Sequence, residues 1–333
     1  MRSSRHSVIA LSAAAVLIAA LLVPCAALAG GRNLAYVSSE KDGIVTFIDL
    51  ASWKPVFRLA VAKRPRALAL SPDRRRLYVA CGDGNSIDVI DPDRRTIVAR
   101  LRGVDDPEMF ALTPDGGALW LSNEETATAS ALDLASGRII ASVAVGDEPE
   151  GVLVSPDGAT VYVASEVANM VHVIDAKTHV LRRSVLVGNR PRRMALTPDG
   201  RELWVTNELG ANVSIVDPLR GVVSGELRFA PQGFRVEDVT PVGIVMTPDG
   251  RTAYVTLGRA NHVAKVDVAA RRVLGYALTG SRAWGAALTA DGRRLLVANG
   301  LSDDVAVVDL QSFRVERAVP AGRTPHSIVV DDR

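Results

Sequence analysis

The sequence predicts an all-β fold of seven four-stranded antiparallel units, and three observations carry that expectation. A turn signal recurs at a fixed step, each step holds four short strand-like runs, and the two ends of the chain carry complementary parts of one unit. The turn signal is Ser71-Pro72-Asp73, followed by Tyr78-Val79. It returns at Thr113, Ser155, Thr197, Thr247 and Thr289, at steps of 42 residues interrupted once by a step of 50. A period of about 40–45 residues with four strands is that of a β-propeller blade, so the chain is expected to form a seven-bladed β-propeller.

Each period reads in the same order. A run that follows a proline, such as Pro65 to Leu70, is the first strand. The Pro-Asp-Gly type turn comes next, with residues suited to turn geometry. The Tyr-Val run is the second strand, Ile87 to Asp91 the third, and Thr96 to Leu101 the fourth; β-branched and aromatic enrichment over short runs marks all of them. First strands start at Pro65, Pro107, Pro149, Pro191, Pro241, Ala283 and Pro325. The run at Leu34 to Val37 is a second strand with no first strand before it, and Pro325 to Val330 is a first strand with nothing after it. The C-terminal strand is therefore expected to join the N-terminal blade, which removes free sheet edges. Asp49, Asp91, Asp133, Asp175, Asp217, Asp267 and Asp309 end the third strands. A residue repeated in every blade reads as architecture, an Asp bonding the backbone of the turn that follows.

Residues 1–29 stand apart. Arg2 and Arg5 precede an apolar run from Ser7 to Val23, and Ala27-Leu28-Ala29 is a small-x-small cleavage site. The pattern is that of a secretory signal peptide, leaving residues 30–333 as the propeller. A retained anchor is the alternative, although the run is short beside the about 20 residues of a bilayer span. Cys25 follows Pro24, a poor fit to a lipoprotein site. The expected location is the periplasm or the medium, with no membrane attachment after cleavage.

Composition then narrows the function. Aliphatic residues must do most of the packing, because aromatics are only 5% against 48% hydrophobic residues. The whole chain has 39 Lys and Arg against 37 Asp and Glu. Loss of Arg2 and Arg5 balances the two, so no basic footprint for nucleic acid remains. Cys81 is the one cysteine outside the leader, so no internal disulfide is expected and the fold rests on packing and pairing. The sequence has no Cys-x-x-Cys-His, His-Glu-x-x-His or Gly-x-Ser-x-Gly motif. Trp120 and Trp204 occupy the Tyr position of the repeat and read as core. His172 reads as a partly solvated strand residue, and His262 and His326 give only a weak metal signal. A monomer without a resident cofactor is expected, with a multivalent cation as a candidate ligand.

The loops carry the candidate site. After the second strands, matching positions hold Glu40, Gly82, Glu124, Glu166, Glu208, Gly258 and Gly300. Just after the residue that starts the strand, six of the seven first strands carry Arg66, Glu108, Glu150, Arg192, Trp284 and His326. Both sets belong to one face, so the channel mouth is expected to be lined by carboxylates with two arginines among them. Glu108, Glu124, Glu150 and Glu166 are the core of this candidate face. Left open, they would suit a hard cation, since calcium-like ions take six to eight oxygens, or a cationic patch on a partner. Two functions remain: a binding module, or a metal-dependent hydrolase or lactonase at the channel mouth.

The repeat resembles the YVTN family of β-propellers over all of residues 30–333, with Tyr78-Val79-Ala80 and Tyr254-Val255-Thr256 carrying the motif. Blade-specific segments resemble one branch, the PQQ-dependent catabolism-associated β-propeller proteins: Asp106-Pro107-Glu108, Asn123-Glu124-Glu125, Pro149-Glu150-Gly151, Arg190-Pro191-Arg192 and Gly258-Arg259-Ala260-Asn261. Arg323-Thr324-Pro325-His326 departs from it, lacking the aromatic expected after the proline. The resemblance implies a periplasmic accessory protein that travels with quinoprotein alcohol oxidation and its transport system, with a redox protein or transporter component as partner. The tryptophan-bearing repeat of PQQ dehydrogenases is missing, so the cofactor itself is not expected here.

Overall fold

The computed structural model describes residues 31–333, and the leader expectation lies outside them. Seven four-stranded antiparallel sheets form the chain. Blade 2 is typical, with strands Pro65–Leu70, Leu77–Cys81, Ser86–Asp91 and Thr96–Arg102 running from the inside outwards. Inner strands of blades 3 to 7 are Pro107–Leu112, Pro149–Val154, Pro191–Leu196, Pro241–Met246 and Ala283–Leu288. Blade 1 is closed as expected: Pro325–Asp331 pairs with Leu34–Ser39, and Ile44–Asp49 and Lys54–Ala60 complete it.

The inner strands neighbour one another around a central channel. Second and third strands are buried on both faces, whereas the fourth strands are largely exposed. The core lies between blades. Trp120 of blade 3 packs with Val161, Val163 and Ile174 of blade 4, and Trp204 of blade 5 packs with Ala253 and Val255 of blade 6. Both indoles are buried, as the repeat predicts.

The repeated polar residues serve the turns. Asp73 Oδ1 accepts bonds from the Ser71 hydroxyl at 2.6 Å and the Arg75 N–H at 3.0 Å, and every later blade repeats the arrangement. All seven third-strand aspartates accept backbone N–H groups of the next turn, among them Ser52 on Asp49 and Ser312 on Asp309. His172 differs from its expectation. It is buried, its Nε2 accepts the Gly146 N–H at 2.9 Å, and its Nδ1 lies 2.8 Å from Ser184 Oγ. Burial lowers its pKa, and it staples the entry loop of its own blade.

Two local devices aim the channel residues. Register skips within each inner strand, for example between Pro65 and Leu68, leave the residue after the proline outside the ladder. A bulge of this kind re-aims a side chain. Hydroxyls of the second strands then fix the neighbouring blade: Ser38, Ser122, Thr206 and Thr256 donate to the carbonyls of Arg66, Glu150, Val242 and Trp284 at 2.6–2.7 Å. No helix among the described residues is long and apolar enough to cross a membrane.

Candidate functional site

The bulged positions of successive inner strands form a ring at one end of the channel: Arg66, Glu108, Glu150, Arg192, Val242, Trp284 and His326. Their burial is deep for such polar groups, with Glu108 at 0% exposure, Glu150 at 3%, Arg192 at 4% and His326 at 2%. The loops after the second strands add Glu40, Glu124, Glu166 and Glu208 to this mouth. Glycine takes the equivalent place where something bulky comes close: a Cβ on Gly300 would sit 2.7 Å from Trp284 Cδ1 and Nε1.

The expected excess of carboxylates is corrected by the structure. Arginines from positions outside the two scanned sets thread the acids. Arg64, Arg190 and Arg282 stand one residue before the inner strands, and Arg193 one residue after Arg192. Arg64 Nη1 lies 2.9 Å from Asp106 Oδ1, while its Nη2 contacts Glu108 and lies 3.7 Å from Glu124. Arg66 reaches Glu108 at 2.6 Å, Glu40 at 3.1 Å and Glu150 at 3.6 Å. Arg192 contacts Glu166 and lies 3.6 Å from Glu150, and Arg193 also contacts Glu150. Arg190 lies 2.7 Å from Glu166 and 3.2 Å from Glu208. Each position could have been found by reading every offset of the 42-residue step, because charge at a blade entry has no part in the repeat itself.

Sharing guanidinium groups separates the carboxyls. Burial raises the Glu108 pKa, the charge of Glu150 adds to it, and together they outweigh Arg66 and Arg64, so it is pushed up to about 9. Neither of its oxygens makes a well-aligned hydrogen bond. Glu150 is also deeply buried, but Arg192, Arg193 and Arg66 hold it well below the usual carboxylate range. Glu166 is pushed up to about 7, by burial first and by Glu150 and Glu208 after it. His326 stays neutral, since burial and then Arg66 and Arg193 hold its pKa well below 6.5. Its ring stacks 5.3 Å from that of Trp284, and Arg193 Nη2 lies 3.5 Å from its Nε2. Arg193 belongs to blade 5 and His326 to blade 1, so this contact spans the channel beneath the mouth.

Above it opens a cavity of ≈ 400 Å³. Arg64, Arg66, Arg190, Arg192, Arg259 and Arg282 line it against Glu124, Glu150, Glu166 and Glu208, with Trp284 and Leu209 as apolar wall. Of the residues expected here, Glu40, Glu108 and His326 are linked to the cavity through the ion network rather than by lining it. Asp106, Glu108 and Glu124 offer carboxylate oxygens within 4.8 Å of one another, the one grouping of this kind among the described residues, but the Arg64 guanidinium already contacts all three.

Two family models match the chain, a YNCE-like β-propeller over residues 6–122 and a lactonase, 7-bladed β-propeller over residues 141–244. No curated protein matches it. Among solved structures it is similar to Kuenenia stuttgartiensis hydrazine synthase, at 22% identity and TM-score 0.75 over 83% of this chain and 92% of that one. It is similar to a functionally unknown protein from Desulfotomaculum acetoxidans DSM 771, at 17% identity and TM-score 0.78 over 90% and 98%. A third likeness is to the dihydro-heme d1 dehydrogenase NirN in complex with DHE, at 17% identity and TM-score 0.69 over 91% and 78%. At these identities the likeness is one of fold. With seven four-stranded blades closed through the strand Pro325–Asp331, the chain belongs to the β-propeller proteins.

Proposed function

We propose that this chain is a non-catalytic binding propeller whose ligand or partner docks at the charged mouth. The observation that carries the reading is the burial of Glu150, Glu166, Glu208, Arg66 and Arg192 in one ion network, with the protonated Glu108 among them. Withdrawing ions from water costs several kcal/mol each, and a buried pair is weak support for stability. The blades are already joined by hydroxyl–carbonyl bonds and apolar clusters. Charges kept at the open end of a rigid scaffold support a binding role. Export to the periplasm or the medium rests on residues 1–29. Service to PQQ-dependent alcohol oxidation and its transport system rests on the branch resemblance, with a periplasmic redox protein or a transporter component as the partner class.

A second reading, a metal-dependent hydrolase or lactonase, is favoured by the Asp106, Glu108 and Glu124 grouping and by the lactonase family match over residues 141–244. It requires a cation to displace Arg64.

One experiment separates the two. Wild type and the Glu166→Gln/Arg192→Met variant are titrated with divalent cations, small organic acids and a quinoprotein alcohol dehydrogenase, and assayed for lactone and ester hydrolysis with added metals. Binding lost in the variant, without turnover, is the expected result. Binding indifferent to the variant would refute the mouth as the site, and metal-dependent turnover abolished by Glu108→Gln would establish the hydrolase.

A further inference from the structure

The mouth is electrostatically divided. Towards blades 2 to 4, Glu108, Glu124 and Glu150 are locked by Arg64 and Arg66. Towards blades 5 to 7 the balance reverses. Glu208 is shared by three guanidinium groups, with Arg190 at 3.2 Å, Arg282 at 3.5 Å and Arg192 at 3.7 Å. Arg259 lines the same cavity, is exposed, and makes no ion pair among the described residues. Positive charge is therefore in surplus on this side. Arg282 registers these neighbours: burial lowers its pKa most, Glu208 raises it, and Arg259, Arg192 and Arg190 each lower it, so the net shift is downwards. An anion placed here would relieve that repulsion.

An apolar wall stands beside the surplus. Trp284 lies within the cavity lining, with the guanidinium carbons of Arg192 and Arg282 5.0 and 5.1 Å from its ring. Leu209, half exposed, faces the same space. A bare oxyanion would use the arginines and leave this wall wet. A carboxylate on an apolar body would use both, because guanidinium forks match carboxylates geometrically.

We infer that the blade 5 to 7 side of the mouth binds a small organic acid, with Arg190, Arg259 and Arg282 taking the carboxylate and Trp284 and Leu209 flanking its apolar body. The inference rests on the reading of the mouth as the ligand site and names the class of ligand.

Calorimetric titration of the full propeller with benzoate, octanoate, benzamide and inorganic phosphate tests it. Benzoate or octanoate is expected to saturate a single site, and binding is expected to weaken as salt screens it. Benzamide and phosphate are each expected to bind about tenfold more weakly or worse, and Arg259→Gln/Arg282→Gln to weaken the acid by about the same factor while the variant without ligand still unfolds cooperatively. Binding beside Trp284 is expected to quench indole fluorescence, and Trp284→Phe to remove that quenching. Equal affinity for benzamide, equal affinity for phosphate, no saturable binding of either acid, or indifference to the arginine variant would overturn the inference. If the acids fail while cation or dehydrogenase binding is still lost in Glu166→Gln/Arg192→Met, the ligand class is wrong and the mouth remains the site. If nothing depends on the mouth, both readings fall.

Discussion

Arg66 and Glu150 touch across an intervening blade. Arg66 belongs to blade 2 and Glu150 to blade 4, yet Nη2 lies 3.6 Å from Oε2, with Glu108 of blade 3 held between them. The ring of bulged positions is thus one electrostatic unit rather than a series of neighbouring pairs. Removing Glu150 as Glu150→Leu strands the buried Arg193, takes one carboxylate each from Arg66 and Arg192, and should cost about 3–5 kcal/mol. Adding Arg66→Met should recover part of that loss, with a coupling of about 0.5–3 kcal/mol in a double-mutant cycle from urea melts. Strict additivity would show that the two residues do not share one network.

The shifted carboxyls predict a pH dependence with a definite sign. Glu108 in the fold titrates at about 9, against an ordinary value of 4.5. Between those values the folded chain keeps a proton that the unfolded chain has released. Stability therefore falls as pH rises through this window. Glu166 acts in the same direction over the narrower window up to about 7. Glu108→Gln cannot titrate, so it should be more stable relative to wild type at pH 8 than at pH 5. Denaturant midpoints at the two pH values decide it; an equal difference at both would mean that Glu108 ionises normally.

Ring closure should depend on Asp331. This carboxylate is fully buried, 2.9 Å from Arg32, 3.0 Å from Arg74 and 3.0 Å from the Tyr36 hydroxyl. Asp331→Ala takes the carboxylate from Arg74 and the buried Tyr36 hydroxyl and leaves Arg32 its Asp93 pair alone, with an expected loss of about 3–5 kcal/mol. Deleting residues 325–333 should abolish cooperative unfolding. A loss below about 1 kcal/mol for Asp331→Ala would mean that closure rests on backbone pairing alone.

Gly300 should report on Trp284. A methyl group there meets the indole at 2.7 Å, and overpacking of this kind costs about 1–3 kcal/mol. Gly300→Ala is expected to displace the indole from His326 and shift its fluorescence. An unchanged spectrum, compared with Trp284→Phe as reference, would show that the loop moves instead.

The fold was legible because its determinants are local and repeated. The Asp73-type turns, the third-strand aspartates and the half blades at Leu34 and Pro325 each follow from residues close in sequence, and the repeat multiplies each signal. The site was legible only where it shares the repeat's register. Glu108, Glu124, Glu150, Glu166 and Arg192 stand at matched positions, so they could be set side by side. Arg193 sits one residue off those positions, and Arg64, Arg190 and Arg282 sit two residues off them. A side chain as long as arginine's reaches several neighbours from there, and no spacing rule says which. His172 misled for a similar reason: its strand position is ordinary, and what buries it is the loop at Gly146.

The closing pair also sets how the ring answers to tension. Leu34 pairs with Asp331 at one end of the antiparallel register, and Ser39 with Pro325 at the other. A pull through the segments flanking residues 34 and 331 acts on the first rung alone. The two strands would peel apart rung by rung, as a zip opens, instead of sliding against all their backbone bonds together. Asp331 with its two arginines is the tab that such a pull meets first, so resistance to stretching lies in one carboxylate rather than in the length of the strand.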